Sequence, residues 1–275
     1  MSGERRTVKE LLERRFGTPG DVDVSLGNGV VELLLDHRTV RTFRPEPIDE
    51  RVVRLIVAAA QSASTSANFQ FTSVISIRDP ARRDRLAHYA GDQQLVRDAG
   101  AFLVWVADWS RSVSIAREHG LPTRGANYLD STISSVVDVA LAAQNAAVAA
   151  ESLGYGITFV GALRNRVDEV CAELELPEWT FPLFGLAIGV PAPDDPADVK
   201  PRLGQDVVLH QETYRRPDPA AIADYRERIG RYYTEQEKPA DWVLDRLAWR
   251  IADKTGLHGR HTIRQSFHRQ GFPLA

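Results

Sequence analysis

The stretch "ANYLDSTISSVVDVALAAQNAAVAAESLG", Ala126 to Gly154, decides the fold of this 275-residue chain. Its second half is built from alanine, with valine, leucine and a few polar residues on nearly every side. A helix that is apolar most of the way round lies in a core. As one helix it would be about 40 Å long at about 1.5 Å per residue, and Gly154 is the expected stop. We therefore predict a long central helix.

Strand patterns lie on both sides of this helix. "FTSVISI" (Phe71 to Ile77) and "AFLVWVAD" (Ala101 to Asp108) precede it, while Gly156 to Val160 and "TFPLFGLAIGVP" follow. The second pattern is apolar throughout, which indicates burial on both faces. Because the long helix separates the second strand from the third, an α+β architecture of layered helices and sheet fits better than a regular doubly wound fold.

Other segments carry helical spacing of apolar residues. They are Val8 to Phe16, Gly29 to Asp36, about Glu50 to Ser62 with Asp49 as N-cap, a charged helix from Pro80, Arg164 to Leu174, Ala220 to Glu235, Asp241 to about Lys254, and Arg260 to Gln270. The length fits one large domain or two small ones.

Composition excludes several classes of protein. A net charge of -3 implies no domain-wide basic surface, so we expect no nucleic-acid partner. The single cysteine, Cys171, excludes disulfide scaffolds and cysteine metal sites. No uninterrupted apolar run approaches about 18 residues, so no membrane span is expected. The N-terminal Arg-Arg pair has no apolar run behind it, and we expect a cytoplasmic protein.

Common catalytic motifs are also missing. No G-x-G-x-x-G follows a strand, and neither a P-loop nor G-x-S-x-G occurs. His258 and His261 could meet on one helix face, but no acidic third ligand accompanies them, so no metal site is expected.

The stretch "HRTVRTFRPEPI", His37 to Ile48, is the first candidate binding segment. His37, Thr39 and Arg41 would share one side of an extended segment. Arginine offers a fork of donors to an anion, and threonine offers a hydroxyl to a polyol. The alternative is a solvated basic turn before the Pro-Glu-Pro bend.

Three further stretches are candidates. "QSASTSANFQF" could form a polar wall along a ligand, or its hydroxyls could cap the backbone. In "GITFVGALR", Gly161 could let a backbone N–H approach a planar ligand, or form an ordinary turn. In "VKPRL", Pro201 makes Lys200 extended, so Lys200 and Arg202 would form a two-cation clip or be exposed charges.

In this order, the segments resemble the nitroreductase family of FMN-dependent oxidoreductases, most closely the branch of the major oxygen-insensitive nitroreductase and the NADPH–flavin oxidoreductases. The resemblance covers about Gly29 to Tyr214 and fades in the C-terminal helices. The motifs that carry it are "DHRTVRTFRPEPI", "STSANFQFTSVISI", "GDQQLVRDAGAFLVWVADWSR", "AAQNAAVAAESLGYGITFVGALRN", "FPLFGLAIGVPA" and "KPRLGQDVVLHQETY".

The resemblance implies a three-layer α-β-α fold with a mixed, mainly antiparallel central sheet, a long central helix and a helical C-terminal excursion. Residues 1–28 would be an extension and 29–275 a single FMN-binding domain, with 215–275 as the excursion. It also implies a homodimer with two FMN sites at the subunit interface, each lined by both chains.

The implied FMN-binding residues fall into three groups. His37, Arg38, Lys200 and Arg202 would gather at the phosphate, with Thr39 facing the phosphate and ribityl region. Ser64, Thr65, Ser66, Gln70 and Gln93 would line the ribityl chain and ring edge. Phe159, Val160, Gly161, Ala162 and Leu163 would cover the ring. Arg41 would lie by the pyrimidine edge and stabilise the anionic reduced flavin; no residue is assigned as catalytic.

The resemblance implies a ping-pong cycle in which NADPH reduces FMN through N5 and a nitroaromatic, quinone or flavin reoxidises it. Arg246, Arg250, Arg260 and Arg264 are candidates for the NADPH 2′-phosphate, or they are solvated helix charges. Phe159, Ala162 and Asn68 depart from the family pattern. They leave open a specialised FMN-dependent oxidase or dehydrogenase of one metabolite. A non-catalytic flavin-binding protein is the third alternative.

Overall fold

The computed structural model describes residues 6–239 and 241–275, so the first five residues of the predicted extension lie outside the described chain. The α-helices, in chain order, are α1 (Val8–Phe16), α2 (Gly29–Leu35), α3 (Glu50–Gln61), α4 (Pro80–Tyr89), α5 (Gln94–Asp98), α6 (Ser110–Glu118), α7 (Leu129–Ser152), α8 (Val167–Glu173), α9 (Gln205–Val208), α10 (Pro219–Glu235), α11 (Trp242–Ala252) and α12 (Ile263–Arg269). The strands are β1 (Thr72–Ile77), β2 (Ala101–Asp108), β3 (Gly156–Val160) and β4 (Thr180–Gly189).

Most predicted elements are confirmed, and α1, β2 and β3 have the predicted bounds. The prediction missed α5, α6 and α9, of which α5 and α9 are short, with five and four residues, whereas α6 is as long as α1. The predicted helix from Arg164 is wrong in its first turn, because a 3-10 segment, Gly161–Arg166, leads into α8. Arg260–Thr262 is likewise a 3-10 turn before α12.

The four strands form one sheet in the order β1-β2-β4-β3. Every pairing among these described strands is antiparallel, with Thr72 opposite Ala107 and Ala101 opposite Ile188 at the ends of the ladders. The α+β class is confirmed, and the described sheet has no parallel pair of the kind that a mixed sheet contains.

A bulge interrupts the centre of the sheet. The register between β2 and β4 shifts between Trp105 and Val106, which lie opposite Phe184 and Pro182. Proline cannot donate a backbone hydrogen bond to a neighbouring strand, and within sheets it is found at edges and bulges. Pro182 therefore explains why the register between β2 and β4 shifts at this position.

By internal packing the chain divides into two units. The first unit comprises Met1–Thr39, as far as it is described, with Pro196–Gly256. The second comprises Val40–Asp195 with Leu257–Ala275. A division by packing does not test the predicted boundaries at residues 28 and 215, which stay predictions.

The core of the second unit forms where α7 meets the sheet. One α7 face carries alanines that are at most 5% exposed, and it shares a hydrophobic cluster with Leu103, Trp105 and Ala107 of β2. Phe102 lies on the opposite face of β2 from Leu103, since successive side chains of a strand alternate. There its ring and Leu163 fill the space that a side chain at Gly185 would need. By length and hydropathy alone α7 could cross a membrane, but its alanine face is core packing. The predicted central helix is confirmed, and Gly154 (φ +86°) follows its end.

The first unit begins with a well-capped helix. The Thr7 hydroxyl accepts the N–H of Glu10, and the Glu10 carboxylate accepts the N–H of Thr7, which is a capping box. At the other end Gly17 adopts φ +82° and ends α1 in a left-handed turn. Both ends of α1 are therefore specified locally, within the segment that was predicted as an N-terminal extension with one helix.

Candidate functional site

In the first unit, two of the segments predicted to hold a phosphate meet at one buried arginine. Nη1 of Arg15 donates to the carbonyl oxygen of Lys200 at 2.9 Å. Nη2 of Arg15 donates to the carbonyl oxygen of His37 at 2.7 Å. The N–H of Arg202 donates to the Arg15 carbonyl oxygen at 2.7 Å. The backbones on which His37 and Lys200 lie are thus joined through one guanidinium.

The charged ends of these residues have different surroundings. The Arg38 guanidinium is half-buried and makes no hydrogen bond or ion pair with the described residues. Nη1 of Arg202 donates to the carbonyl oxygen of Pro201 at 3.3 Å. The Lys200 ammonium lies over the rings of Tyr232 and Tyr233, 5.9 and 5.7 Å from their centroids. Two guanidinium groups and an ammonium on joined segments form a donor set that fits a phosphate monoester.

In the second unit, the basic stretch continues as an extended segment beside β3. The N–H of Val40 donates to the carbonyl oxygen of Ile157 at 3.0 Å. The hydroxyl of Thr158 donates back to the carbonyl oxygen of Val40. Gly156 permits this contact, because a Cβ there would lie 2.7 Å from Val40 side-chain atoms. The segment therefore pairs in the manner of an extended strand at Val40 and at Phe43, which bridges to Pro191, and it turns at Arg44 to Glu46.

Asp195 fixes the backbone at Arg41. One carboxylate oxygen of Asp195 accepts the N–H groups of Arg41, at 3.1 Å, and Thr42, at 2.8 Å. The Arg41 side chain is exposed and has no acidic partner among the described residues. An anchored cation without a neutralising carboxylate can stabilise negative charge on a bound group.

The loop between α3 and β1 contains the predicted residues Ser64, Thr65, Ser66 and Gln70. Ala67, Asn68 and Gln70 have φ values of +46°, +58° and +55°. Non-glycine residues seldom adopt this left-handed region, and such strain clusters at functional sites. The loop is therefore held in a conformation that its residues would not choose locally.

Two side chains from other elements hold this loop. Oδ1 of Asp138 on α7 accepts the N–H of Ser66 at 2.8 Å. Nη2 of Arg111 on α6 donates to the carbonyl oxygen of Gln70 at 2.7 Å. Thr65 and Gln70 also line a cavity of about 480 Å³ within the second unit. The predicted polar wall is thus a constrained loop that borders open space.

The predicted ring-covering residues follow β3. Phe159 is 39% exposed and meets Phe184 edge to face, with ring centroids 5.4 Å apart. Val160 and Leu163 are buried, at 4% and 0% exposure, so their side chains serve the core. The main chain around Gly161, the half-buried Ala162 and the ring of Phe159 are the parts of this segment that remain accessible.

The remaining predicted residues are spread between the units. Gln93 is half-buried at the start of α5, where its N–H donates to the carbonyl oxygen of Ala87 at 3.2 Å. Arg246 and Arg250 belong to the first unit, whereas Arg260 and Arg264 belong to the second. Nη1 of Arg250 donates to the carbonyl oxygen of Gly256 at 2.8 Å, and Nε of Arg260 donates to that of Leu257 at 2.9 Å. Arg264 is exposed.

Sequence reasoning missed four residues that organise these segments: Asp138, Arg111, Asp195 and Arg15. Asp138 did give a signal, since it is a carboxylate on a helix predicted to lie in the core. Asp195 lies in a loop with several aspartates, and Arg15 follows another arginine in a charged helix. Neither of these two can be distinguished from its neighbours without the tertiary contacts.

Comparison with known proteins defines the class. The sequence model of the nitroreductase family matches residues 34–190, and the model of the nitroreductase family C-terminal domain matches residues 200–275. The chain belongs to the nitroreductase family. The second match also corrects the expectation that the resemblance fades in the C-terminal helices.

Three relatives illustrate the similarity. The oxygen-insensitive NADPH nitroreductase of Salmonella typhimurium is 39% identical over 203 residues, 74% of this chain and 82% of the relative. The FMN reductase [NAD(P)H] of Bacillus subtilis is 37% identical over 253 residues, 90% of this chain and 99% of the relative. The NADPH:FMN oxidoreductase from Vibrio harveyi, solved in complex with NAD+, superimposes with a TM-score of 0.79 at 32% identity, covering 90% of this chain and 100% of that one.

Proposed function

We propose that the protein is an FMN-dependent NADPH oxidoreductase that reduces nitroaromatics, quinones or flavins by two electrons. The observation that carries this proposal is the 37% identity to an FMN reductase along nearly the whole length of that relative, 99%. The donor set of the first unit adds chemical support, because its cations fit the phosphate of FMN.

Bound FMN would supply the two-electron chemistry, and the protein would supply binding, orientation and electrostatics. Arg38, Lys200 and Arg202 would bind the phosphate as cations, with His37 and Thr39 beside them. The loop Ser64–Gln70 and Gln93 would hold the polar chain and ring edge, and the main chain at 159–163 would lie against the ring. Arg41 would stabilise negative charge on the ring, because its backbone is anchored by Asp195.

The electron donor in this proposal is NADPH. Its 2′-phosphate requires cationic side chains, and Arg264 is exposed to offer one. Arg246, Arg250 and Arg260 stay candidates of the same kind. The names of two of the relatives, an NADPH nitroreductase and an NADPH:FMN oxidoreductase, support this donor.

We also propose that the protein is a homodimer and that the exposed face of α7 forms the dimer interface. Leu129, Ile133, Val137 and Leu141 recur every four residues along one face and are 44–51% exposed. Residues four apart lie on the same side of a helix. A continuous apolar stripe of this kind marks an interaction surface, and a second copy of this chain is the proposed occupant. We expect the dimer to reside in the cytoplasm.

The decisive experiment begins with the purified protein. It should be yellow, release FMN on denaturation, lose its flavin absorption on anaerobic addition of NADPH, and turn over rapidly when a nitroaromatic or quinone is added. Bleaching without turnover on any of these acceptors would favour a specialised oxidase or dehydrogenase. Bound flavin that NADPH does not bleach would favour a binding protein. A colourless protein that cannot be reconstituted with FMN would contradict the proposal.

A further inference from the structure

Arg15 lies on α1, outside both segments that the family models match, 34–190 and 200–275. It is nonetheless one of the most buried charged residues described, at 5% exposure. A buried guanidinium is costly unless hydrogen bonds satisfy its donors. Here the carbonyl oxygens of Leu35, His37 and Lys200 accept these hydrogen bonds. The N-terminal helix therefore inserts a cation that the backbone of two other segments satisfies.

The hydrogen bonds of Arg15 depend on the planar, multi-donor shape of the guanidinium group. Nη2 reaches both Leu35, at 2.7 Å, and His37, while Nη1 reaches Lys200. Leu35 is the last residue of α2, where unpaired carbonyls and the helix dipole favour a cation. The planar guanidinium fork spans two backbone segments, which the compact ammonium of a lysine does not.

A second arginine holds the same backbone from α10. Nη1 of Arg228 donates to the carbonyl oxygen of Arg202 at 3.2 Å, and Nε of Arg228 donates to Asp224 at 2.9 Å. Arg228 is 9% exposed. The N–H of Arg202 is already paired with the Arg15 carbonyl oxygen. Both backbone polar groups of Arg202 are thus fixed by buried arginines.

We propose that Arg15 is a positioning residue for the FMN phosphate. By joining the backbones of His37 and Lys200, it holds the two cationic segments at a fixed separation before the cofactor binds. Preorganised ligand groups bind more tightly because their ordering cost is met on folding. The inference rests on the proposed FMN site and adds to it a residue that does not touch the cofactor.

The test compares the affinity of the apoprotein for FMN with its affinity for riboflavin, which lacks the phosphate. Flavin fluorescence quenching gives both Kd values without any turnover. Arg15→Lys keeps the positive charge and loses the two-segment fork. We expect this substitution to raise the Kd for FMN about tenfold and the Kd for riboflavin by less than about twofold.

Arg83→Lys is the matched control. Arg83 also donates to two backbone carbonyls, those of Ala99 at 2.6 Å and Ile77 at 2.8 Å, but it belongs to the second unit. If Arg15 acted only through general stability, Arg15→Lys would raise the Kd for FMN and the Kd for riboflavin by the same factor. We expect Arg83→Lys to leave the ratio of the two Kd values unchanged.

The outcomes separate the inference from the proposed site. If the wild-type protein bound FMN and riboflavin with equal Kd values, the proposed phosphate site itself would be contradicted. A wild-type preference for FMN that Arg15→Lys retains in full would overturn only the role of Arg15. If Arg15→Lys yields no folded protein, Arg228→Lys replaces it, with the same selective loss expected and an unchanged ratio overturning the inference.

Discussion

Asp138, on the central helix, accepts the backbone N–H of Ser66 at 2.8 Å, although the two residues are 72 positions apart. The Asp138 side chain is 1% exposed, and its second oxygen has no hydrogen-bond partner among the described residues. A buried carboxylate that makes one hydrogen bond is expensive. The hydrogen bond from Ser66 in the strained loop therefore assigns the Asp138 carboxylate a structural role.

Asp138→Ala should release the loop around Ser66. We expect the free energy of unfolding to fall by about 1–3 kcal/mol, because the hydrogen bond from the Ser66 N–H to a charged acceptor is lost. Limited proteolysis should detect faster cleavage between residues 62 and 71. Asp138→Asn keeps an oxygen acceptor without the buried charge, so it should retain the wild-type cleavage rate. Wild-type cleavage of the alanine variant would refute the anchoring role.

Asp195→Ala should weaken FMN binding by freeing the backbone at Arg41 and Thr42. We expect the Kd for FMN to rise about three- to tenfold, measured by fluorescence quenching on the apoprotein. Asp194→Ala is the neighbouring control, since the Asp194 side chain is exposed. Equal effects of the two substitutions would show that loop charge, and not the anchoring of Arg41, controls binding.

Val137→Arg should dissociate the proposed homodimer. Val137 lies within the exposed apolar stripe of α7 and is 49% exposed. An unpaired charge buried at an interface should raise the dimer dissociation constant at least about 100-fold. Analytical ultracentrifugation measures this change, and Asp21→Asn at an exposed position controls for altered net charge, because it also makes the chain more positive by one charge. A dimer that tolerates Val137→Arg would place the interface elsewhere.

Cys171 should be unreactive in the folded protein. Burial raises the pKa of its thiol to about 11, so little thiolate exists at neutral pH. A disulfide reagent should therefore modify Cys171 only after unfolding. Because the folded pKa lies above the ordinary value, the protonated thiol contributes stability at lower pH, and this contribution is lost as pH rises toward about 11. Rapid native labelling at pH 8 would contradict the buried placement.

Local patterns in the sequence were sufficient for most of the elements. The alanine-rich run predicted α7, and the apolar run from Ala101 to Asp108 predicted β2, because periodicity and burial are properties of a short segment. The 3-10 turn before α8 was misread as helix, since both conformations accept the same residues. The segments proposed to bind phosphate were predicted from the chemistry of their side chains, together with the order of six motifs, and this binding stays a prediction.

The sequence alone thus determined the class of fold, the central helix and the cationic segments, because each depends on residue types that are close along the chain. Only the tertiary structure decided which groups hold those segments in place. Arg15, Asp138 and Asp195 each bind backbone groups far away in sequence. Nothing in their local surroundings distinguishes Arg15 from Arg14, or Asp195 from Asp194. A hydrogen bond between distant segments depends on how the whole chain packs, so only the folded coordinates reveal it.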